Sequence, residues 1–278
     1  MIDICTVVFR DEIPTLKVQA ASLERHCSGI GIRNIYVVLN DDETLAAEID
    51  PIWWGSLAPY VLVVPRTTFS TPWAENGWLS QQLFKILTAS LSYNTWTMVL
   101  DAKTMFVREF KLEDLGTPGG RLTVGELPVY DVFKPAKDIV DKLFNMDMQK
   151  QIGPGGVPFF FHNDTVRYMI AEVTERTQQS FPEWFQRQGM LTEFMLYSGY
   201  VQHKFGGLNT TEQNALGGVV NVCHTEVGDF DRKLEQMKEP FTLTVSVHRR
   251  AWQELTTDQK TAYRLLLIDR GIIPAYSL

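Results

Sequence analysis

Apolar runs alternate with amphipathic stretches along the first hundred residues of the chain. Strand-like runs rich in isoleucine, valine and leucine occupy residues 2–9, 34–43, 60–66 and 96–107. Residues 15–27 and 78–93 have apolar positions at helical spacing, which predicts a helix before the second strand and another before the fourth. Near-continuous apolar strands separated by helices are typical of a parallel sheet with helices on both faces.

The rest of the chain predicts a less regular set of elements. We expect strands at 121–130 and 241–248, the latter with alternating apolar and polar residues, and helices at 136–150 and 164–178. A loop at 113–120 marks the passage between two halves. The predicted fold class is therefore α/β, a single Rossmann-like domain over 1–278, with a nucleotide-binding type of half at 1–112 and a mixed half at 113–278.

Composition and charge narrow the classes of function. With 278 residues, 45% hydrophobic and 21% charged, the chain can bury a large globular core. A net charge of −7 argues against general binding to polyanions, although it leaves room for a local basic cleft. Three widely spaced cysteines favour neither a disulfide framework nor a zinc site. No apolar run approaches 18 residues, so we expect a cytoplasmic protein with no leader and no membrane span.

Charged and polar residues follow the predicted strands, where parallel α/β sheets bind their ligands. Asp101 and Lys103 interrupt the apolar run "WTMVLDAKTMFV", and Asn40 and Asp41 follow the second strand. Asn40 and Asp41 suit a contact with a base or a ribose, whereas solvation of the loop explains at least one of these polar residues equally well.

The helix predicted at 78–93 has two unlike faces. Its leucines form a broad apolar face, and Trp78, Gln81, Gln82 and Lys85 lie on the opposite side. Glutamines alone are typical of a solvated face. The tryptophan, and the position of the helix directly before the strand that ends at Asp101, favour a functional face instead.

The segment "GWLSQQLFKILTASLSYNTWTMVLDAKTMFV" resembles the core of GT-A-type, nucleotide-sugar-dependent glycosyltransferases, in which a helix carrying Gln and Lys precedes a strand ending in Asp-x-Asp. The later segments "TEFMLYSGYV" at 192–201 and "SVHRRAW" at 246–252 extend the resemblance, which covers most of 1–205 and the strand near 248. It implies a GT-A-like fold in which 113–278 is the acceptor-side half. It also implies a transferase, hexosyl or pentosyl, that uses a UDP-sugar.

The resemblance also implies roles for individual residues. Donor-binding residues would be Thr6, Arg10, Asn40, Asp41, Trp78, Gln82, Lys85, His248 and Arg249. Glu193 would be the acid that faces the acceptor, as the general base of an inverting enzyme or a positioning group in a retaining one. As an acid in the first turn of a predicted helix, Glu193 also suits the helix dipole, which needs no function. His248 would be a metal ligand with Asp101 or a donor to the diphosphate, and a structural histidine is an equal alternative.

Lys103 departs from the resemblance, because it stands where the second acid of Asp-x-Asp is expected. One carboxylate is a poor site for Mn²⁺ or Mg²⁺ unless other ligands converge. An ammonium could instead neutralise the diphosphate directly, so we favour a metal-independent site with Asp101, Lys103 and Glu193 as its catalytic residues. Ordinary surface salt-bridge chemistry is the competing explanation.

Two other classes of function compete with the transferase. A catalytically inactive nucleotide-sugar-binding protein would explain Lys103. A sugar nucleotidyltransferase ranks last, because "VVFRDEIPTLK" has no glycine-rich phosphate loop after the first strand. The acceptor stays open among a glycan, a lipid carrier, a protein and a modified nucleic-acid base.

Overall fold

The structure is a computed structural model, and it describes residues 1–69, 76–111, 116–117, 121–122, 126–152, 157–207 and 218–275. Twelve strands lie in these residues. They are β1 (Ile2–Val8), β2 (Ile32–Leu39), β3 (Val61–Val64), β4 (Trp96–Asp101), β5 (Thr104–Phe106), β6 (Gly116–Thr117), β7 (Arg121–Leu122), β8 (Glu126–Pro128), β9 (Lys150–Ile152), β10 (Phe159–His162), β11 (Val219–Val222) and β12 (Thr244–Val247).

The same residues form nine α-helices. They are α1 (Ile13–Cys27), α2 (Gly77–Leu91), α3 (Lys134–Phe144), α4 (Asn163–Thr177), α5 (Phe181–Gln186), α6 (Glu193–Phe205), α7 (Phe230–Lys238), α8 (Arg249–Glu254) and α9 (Thr257–Asp269). The helices predicted at 15–27, 78–93 and 164–178 are confirmed, and the one predicted at 136–150 ends early, at Phe144. No helix in the described residues combines the length and apolar character that crossing a bilayer requires.

The main sheet has five strands in the order β10-β4-β1-β2-β3. β1, β2, β3 and β4 run parallel, and β10 joins the edge of β4 in the antiparallel sense. Every residue of β1 is buried, because helices cover both faces of the sheet. The predicted mostly parallel sheet flanked by helices is confirmed.

A second sheet of three strands, in the order β11-β12-β5, begins where β4 ends. β11 and β12 are parallel, and β5 runs antiparallel to β12. Asp101 closes the main sheet and Thr104 opens the small one, so the short turn between them joins the two sheets. Three apolar clusters cover the faces: one under α2, α4 and α6, one under α1, and one between the small sheet and α7 to α9.

Two of the predicted strands differ from the structure. The single strand expected at 121–130 is two short strands, β7 and β8, with residues 123–125 outside the described range. The loop expected at 113–120 lies outside the described residues except for 116–117. The strand expected at 241–248 is shorter, and Thr242, Thr244 and Ser246 on its polar side are buried. Ser246 donates a hydrogen bond to Asn221 in the neighbouring strand.

Candidate active site

Three elements bring a lysine and two acids together at the carboxyl edge of the main sheet. Lys85, in the third turn of α2, places its Nζ atom 2.7 Å from Asp101 Oδ1 and 3.0 Å from Glu193 Oε1. Asp101 ends β4, and Glu193 is the first residue of α6, where Thr192 caps the helix. The Lys85 side chain is 2% exposed and Glu193 is fully buried. Lys85 and Glu193 are 108 residues apart in the sequence, so their contact links the two halves of the chain.

Lys103 completes the cluster from the solvent side. Its Nζ atom lies 2.6 Å from Asp101 Oδ2, the oxygen that Lys85 does not contact. The side chains of Lys103 and Asp101 are 21% and 20% exposed, so both reach the protein surface. Asp101 is therefore held between a buried ammonium and an accessible one, and the charge of Lys103 is available to a ligand.

Burial and ion pairing compete in setting the ionisation of this cluster. Burial alone would raise the pKa of Asp101, but Lys103 and Lys85 outweigh it and hold that pKa well below its usual range. Burial likewise disfavours the charged form of Lys85, but Asp101 and Glu193 together raise its pKa. For Glu193 burial prevails over the pairing with Lys85, and its pKa is raised. Asp101 and Lys85 are thus a fixed charge pair, whereas Glu193 is the acid that is easier to protonate.

Three buried polar residues support the cluster. The Gln82 amide lies against the Glu193 carboxylate, and with its nitrogen turned toward that carboxylate it donates to Oε1 at 3.0 Å and to Oε2. Gln19 in α1 donates to the carbonyl of Asp101 at 2.6 Å and to that of Thr104 at 3.1 Å, which clamps the turn between the two sheets. Thr6, which sequence reasoning placed against the nucleotide, is buried and donates its hydroxyl to Gln19. Thr6 therefore holds Gln19, which in turn holds the backbone of Asp101.

The predicted nucleotide residues at the ends of β1 and β2 contact one another. The backbone amide of Arg10 donates to Asp41 Oδ2 at 2.6 Å, and the Arg10 guanidinium pairs with Asp42 and Glu48. Asn40 is buried, and its amide group donates to the carbonyl of Gly77 at the start of α2. Arg10 is therefore exposed and Asp41 half-buried at the ends of β1 and β2, whereas Asn40 holds α2 in place.

Three more predicted residues lie outside the cluster of lysines and acids. Trp78 is 41% exposed in the first turn of α2, although most of that helix is buried. His248 follows β12 and caps α8, with its Nδ1 atom accepting a hydrogen bond from the amide of Arg250 at 3.2 Å. Arg249 is exposed and pairs with Asp11 at 2.6 Å. The predicted residues therefore form two groups. The centre, whose side chains contact one another, consists of Asp101, Lys103, Lys85, Glu193 and Gln82. The rim consists of Arg10, Asp41, Trp78, His248 and Arg249.

The solvated face considered for α2 is wrong at Gln81, Gln82 and Lys85, which are all buried. The physical reason is that α4, α5 and α6 pack against α2, so no side of its middle turns faces solvent. The buried polar groups find partners there, as burial of such groups requires.

The GT-A resemblance implies a divalent cation, and the residues present do not fit one. Each carboxylate oxygen of Asp101 is within 2.7 Å of a lysine ammonium, and Nδ1 of His248 already accepts from Arg250. No group of three or more His, Cys, Asp or Glu side chains in the described residues is arranged to hold a metal ion. The donor set suits an anionic ligand better than a cation.

Sequence reasoning missed Gln19 and Glu12. Gln19 lies on the same face of α1 as Leu16, Ala20 and Leu23, so a polar residue within an apolar stripe was the available signal. Glu12 precedes α1, and its carboxylate accepts the amide of Phe9 at 3.1 Å. Burial raises the pKa of Glu12 and the charge of Lys103 opposes that rise, which places this acid close to the cluster.

Comparison with protein families gives a match over most of the chain. A model described as a family of unknown function, DUF6492, matches residues 2–242. The chain belongs to the DUF6492 family. A comparison of this DUF6492 chain with curated proteins finds no match.

Solved structures resemble the DUF6492 chain in fold. A crystal structure of the galactosyltransferase LgtC with donor and acceptor sugar analogs is 14% identical, with a TM-score of 0.51, and the match covers 99% of this chain and 98% of LgtC. The apo structure of WbbM, a bifunctional glycosyltransferase, is 13% identical with a TM-score of 0.50, over 88% of this chain and 45% of WbbM. At these identities the likeness establishes the fold, and the predicted GT-A-like fold is confirmed.

Proposed function

We propose that the chain is a glycosyltransferase that moves a sugar from a nucleotide-diphosphate sugar, a UDP-sugar in our prediction, to an acceptor hydroxyl. The observation that carries this proposal is Asp101, held between Lys85 and Lys103 at the carboxyl edge of the parallel sheet. Ligands of open α/β sheets bind at that edge. A fold hosts many functions, so this cluster, and not the likeness to LgtC, supports the proposal.

The reaction needs positive charge beside the leaving group. The bond between the anomeric carbon and the diphosphate oxygen breaks, and its electron pair stays on the diphosphate. The acceptor oxygen bonds to the anomeric carbon and loses its proton to a base. A preorganised ammonium stabilises the negative charge that develops on the diphosphate. Lys103 supplies that ammonium, because it is accessible while Lys85 is not.

The remaining members of the cluster orient Lys103. Asp101 accepts from Lys103 at 2.6 Å, and Lys85 holds the other oxygen of Asp101 in place. Glu193 has both oxygens engaged by Lys85 and Gln82 and is fully buried. This geometry supports a positioning role for Glu193 through Lys85 more directly than contact with the acceptor hydroxyl, and the role of general base stays a prediction.

The rim residues supply the contacts that a nucleoside needs. Trp78 offers an exposed ring at the start of α2, on which a base or a sugar can stack. Arg10, Asp41 and Arg249 present charged groups around the same edge. We assign donor binding to this rim.

A panel of nucleoside diphosphates and nucleotide sugars, hexosyl and pentosyl, tests the proposal. A ligand that binds the folded state alone raises the melting temperature by mass action. We expect UDP or a UDP-sugar to do so in EDTA as well as in Mn²⁺, and mass spectrometry to detect slow hydrolysis of the donor. If no nucleoside diphosphate or nucleotide sugar binds at millimolar concentration, the proposal fails.

The competing function is a nucleotide-sugar-binding protein without activity. Lys85 and Lys103 already contact both carboxylate oxygens of Asp101, the residue that would bind the cation implied by the GT-A resemblance. This arrangement favours a protein that binds the donor without reacting with it. Such a protein would show the shift in melting temperature but would neither hydrolyse the donor nor transfer sugar to glycan, lipid, protein or nucleoside acceptors. Donor hydrolysis therefore separates the two functions.

A further inference from the structure

The small sheet delivers three nitrogen-bearing side chains to one edge. β11 and β12 are parallel with Val222 opposite Val247, so both strands end at this edge, where His224 and His248 follow them. β5 runs the other way and pairs Thr104 with Ser246, so Lys103 enters β5 from the same edge. Two imidazoles and one ammonium therefore meet where the small sheet adjoins Asp101.

Contacts and electrostatics agree with this placement. The ring centroids of His224 and His248 are 5.9 Å apart, with the planes tilted by 51°. Burial lowers the pKa of His248, and the charges of Lys103, His224 and Arg250 lower it further, as nearby cations do. In the part of the chain that the structure describes, neither the His224 ring nor the Nε2 atom of His248 has a hydrogen-bond partner. Both rings can bond to a ligand.

Acids around these residues are already engaged. Glu12, whose pKa responds to the charge of Lys103, accepts the amide of Phe9. Glu226 accepts the amide of Cys223 at 2.9 Å and pairs with Lys233 at 2.7 Å. Asp101 is shared by Lys85 and Lys103. The edge is therefore rich in donors and suits an oxyanion, whose oxygens accept several charge-assisted hydrogen bonds.

We propose that His224 is a diphosphate-binding residue that forms, with His248 and Lys103, a subsite for the diphosphate of a nucleoside diphosphate or nucleotide sugar. This inference rests on the proposed function and adds a residue that no sequence motif indicated. As the bond to the sugar breaks, the electron pair moves onto the diphosphate, and the three side chains stabilise that charge in the absence of a bound cation.

Isothermal titration calorimetry in EDTA at a fixed neutral pH tests the subsite. The probes are inorganic pyrophosphate, UDP and uridine, because they separate phosphate contacts from contacts with the nucleoside. We expect His224→Ala to weaken pyrophosphate and UDP by about tenfold, on the scale of a lost hydrogen bond to a charged group, and to leave uridine unchanged. His224→Gln keeps an N–H donor and should recover part of the loss.

Thr225→Ala is the matched control, because Thr225 is the exposed neighbour of His224 in the same 3-10 helix, His224–Asp229. An equal loss in this control would attribute the effect to the 3-10 helix and overturn the inference. A silent His224→Ala in a chain that binds UDP overturns the subsite and leaves the proposed function standing. If pyrophosphate binds in a His224-dependent manner but no nucleoside diphosphate does, the subsite stands and the donor proposal fails. Binding of neither overturns both.

Discussion

At the scale of single residues, two lysines flank one carboxylate in opposite surroundings. Lys85 is almost completely buried, contacts two acids and has its Nζ atom 5.5 Å from the centroid of the Phe194 ring. Lys103 contacts one acid and is partly exposed. A buried ion pair is costly to break, whereas an accessible one contributes little to stability. The two lysines should therefore respond differently to the same substitution.

We expect Lys85→Met to lower the free energy of unfolding by about 3–5 kcal/mol, because it leaves two acids without their buried partner. Lys103→Met, the matched control, should cost less than about 1 kcal/mol, because Asp101 keeps Lys85. Urea denaturation followed by circular dichroism measures both values. Equal losses from the two variants would contradict the distinction between a structural and a ligand-binding lysine.

Whether donor binding needs a metal ion can be tested at Lys103 alone. If Lys103 takes the place of a cation, Lys103→Ala should weaken UDP binding in EDTA by about 1–3 kcal/mol, the scale for losing a hydrogen bond to a charged group. Lys103→Asp should abolish binding in EDTA and make it depend on Mn²⁺, because it rebuilds the pair of acids. Wild-type binding that falls more than about tenfold on chelation, with a silent Lys103→Ala, would rule out the replacement.

At the scale of elements, α2 and α6 are joined through Lys85 and Glu193. α6 begins at Glu193, whose carboxylate contacts Lys85, so the first turn of α6 lies beside the cluster, whereas α2 contributes its third turn. The positive end of the α6 dipole adds to the charge of the lysines there. The contact between the helices therefore supports the geometry of the site and its potential together.

A double-mutant cycle between these helices tests the role of Glu193. If Glu193 acts through Lys85, then Glu193→Gln in a Lys85→Met background should slow transfer by less than about threefold beyond Lys85→Met alone, since the two residues form one unit. Steady-state turnover with a saturating donor measures the four enzymes. A further loss on the order of a hundredfold in the double variant would assign Glu193 to base catalysis instead.

At the scale of the whole molecule, the site lies at the junction of two sheets, so its ion pairs contribute to the stability of the fold. The pKa of Asp101 is held below its ordinary value of 3.8. The unfolded chain therefore takes up a proton at a pH where the folded chain does not, and stability falls as the pH falls. The raised pKa values of Glu12 and Glu193 act in the opposite sense.

Comparison with Asp101→Asn reports the contribution of Asp101 together with its coupling to Glu193 and Glu12, because the acids outside the cluster are common to both proteins. We expect the difference in unfolding free energy between wild type and variant to be constant from about pH 6 to 8 and to shrink as the pH falls below 3.8, the ordinary pKa of an aspartate. Urea titrations across this range measure it. A difference that stays constant down to about pH 3 would contradict the depressed pKa.

The local pattern of the sequence was sufficient for the elements that hold the site. The apolar run that ends at Asp101 and the helix before it are determined by neighbouring residues, because hydrophobic periodicity acts over a few positions. The mostly parallel sheet follows from the alternation of such strands and helices.

Only the tertiary structure decided which side chains meet. Glu193 reaches Lys85 across 108 residues, and His224 reaches His248 because β11 and β12 end together. The face of α2 that carries Gln82 and Lys85 is buried because α6 packs against it. The sequence pattern of α2 alone is also compatible with a solvated face. Contacts of this kind depend on strand order and helix packing, which a periodic pattern leaves open, since the same pattern is compatible with several arrangements of the same elements.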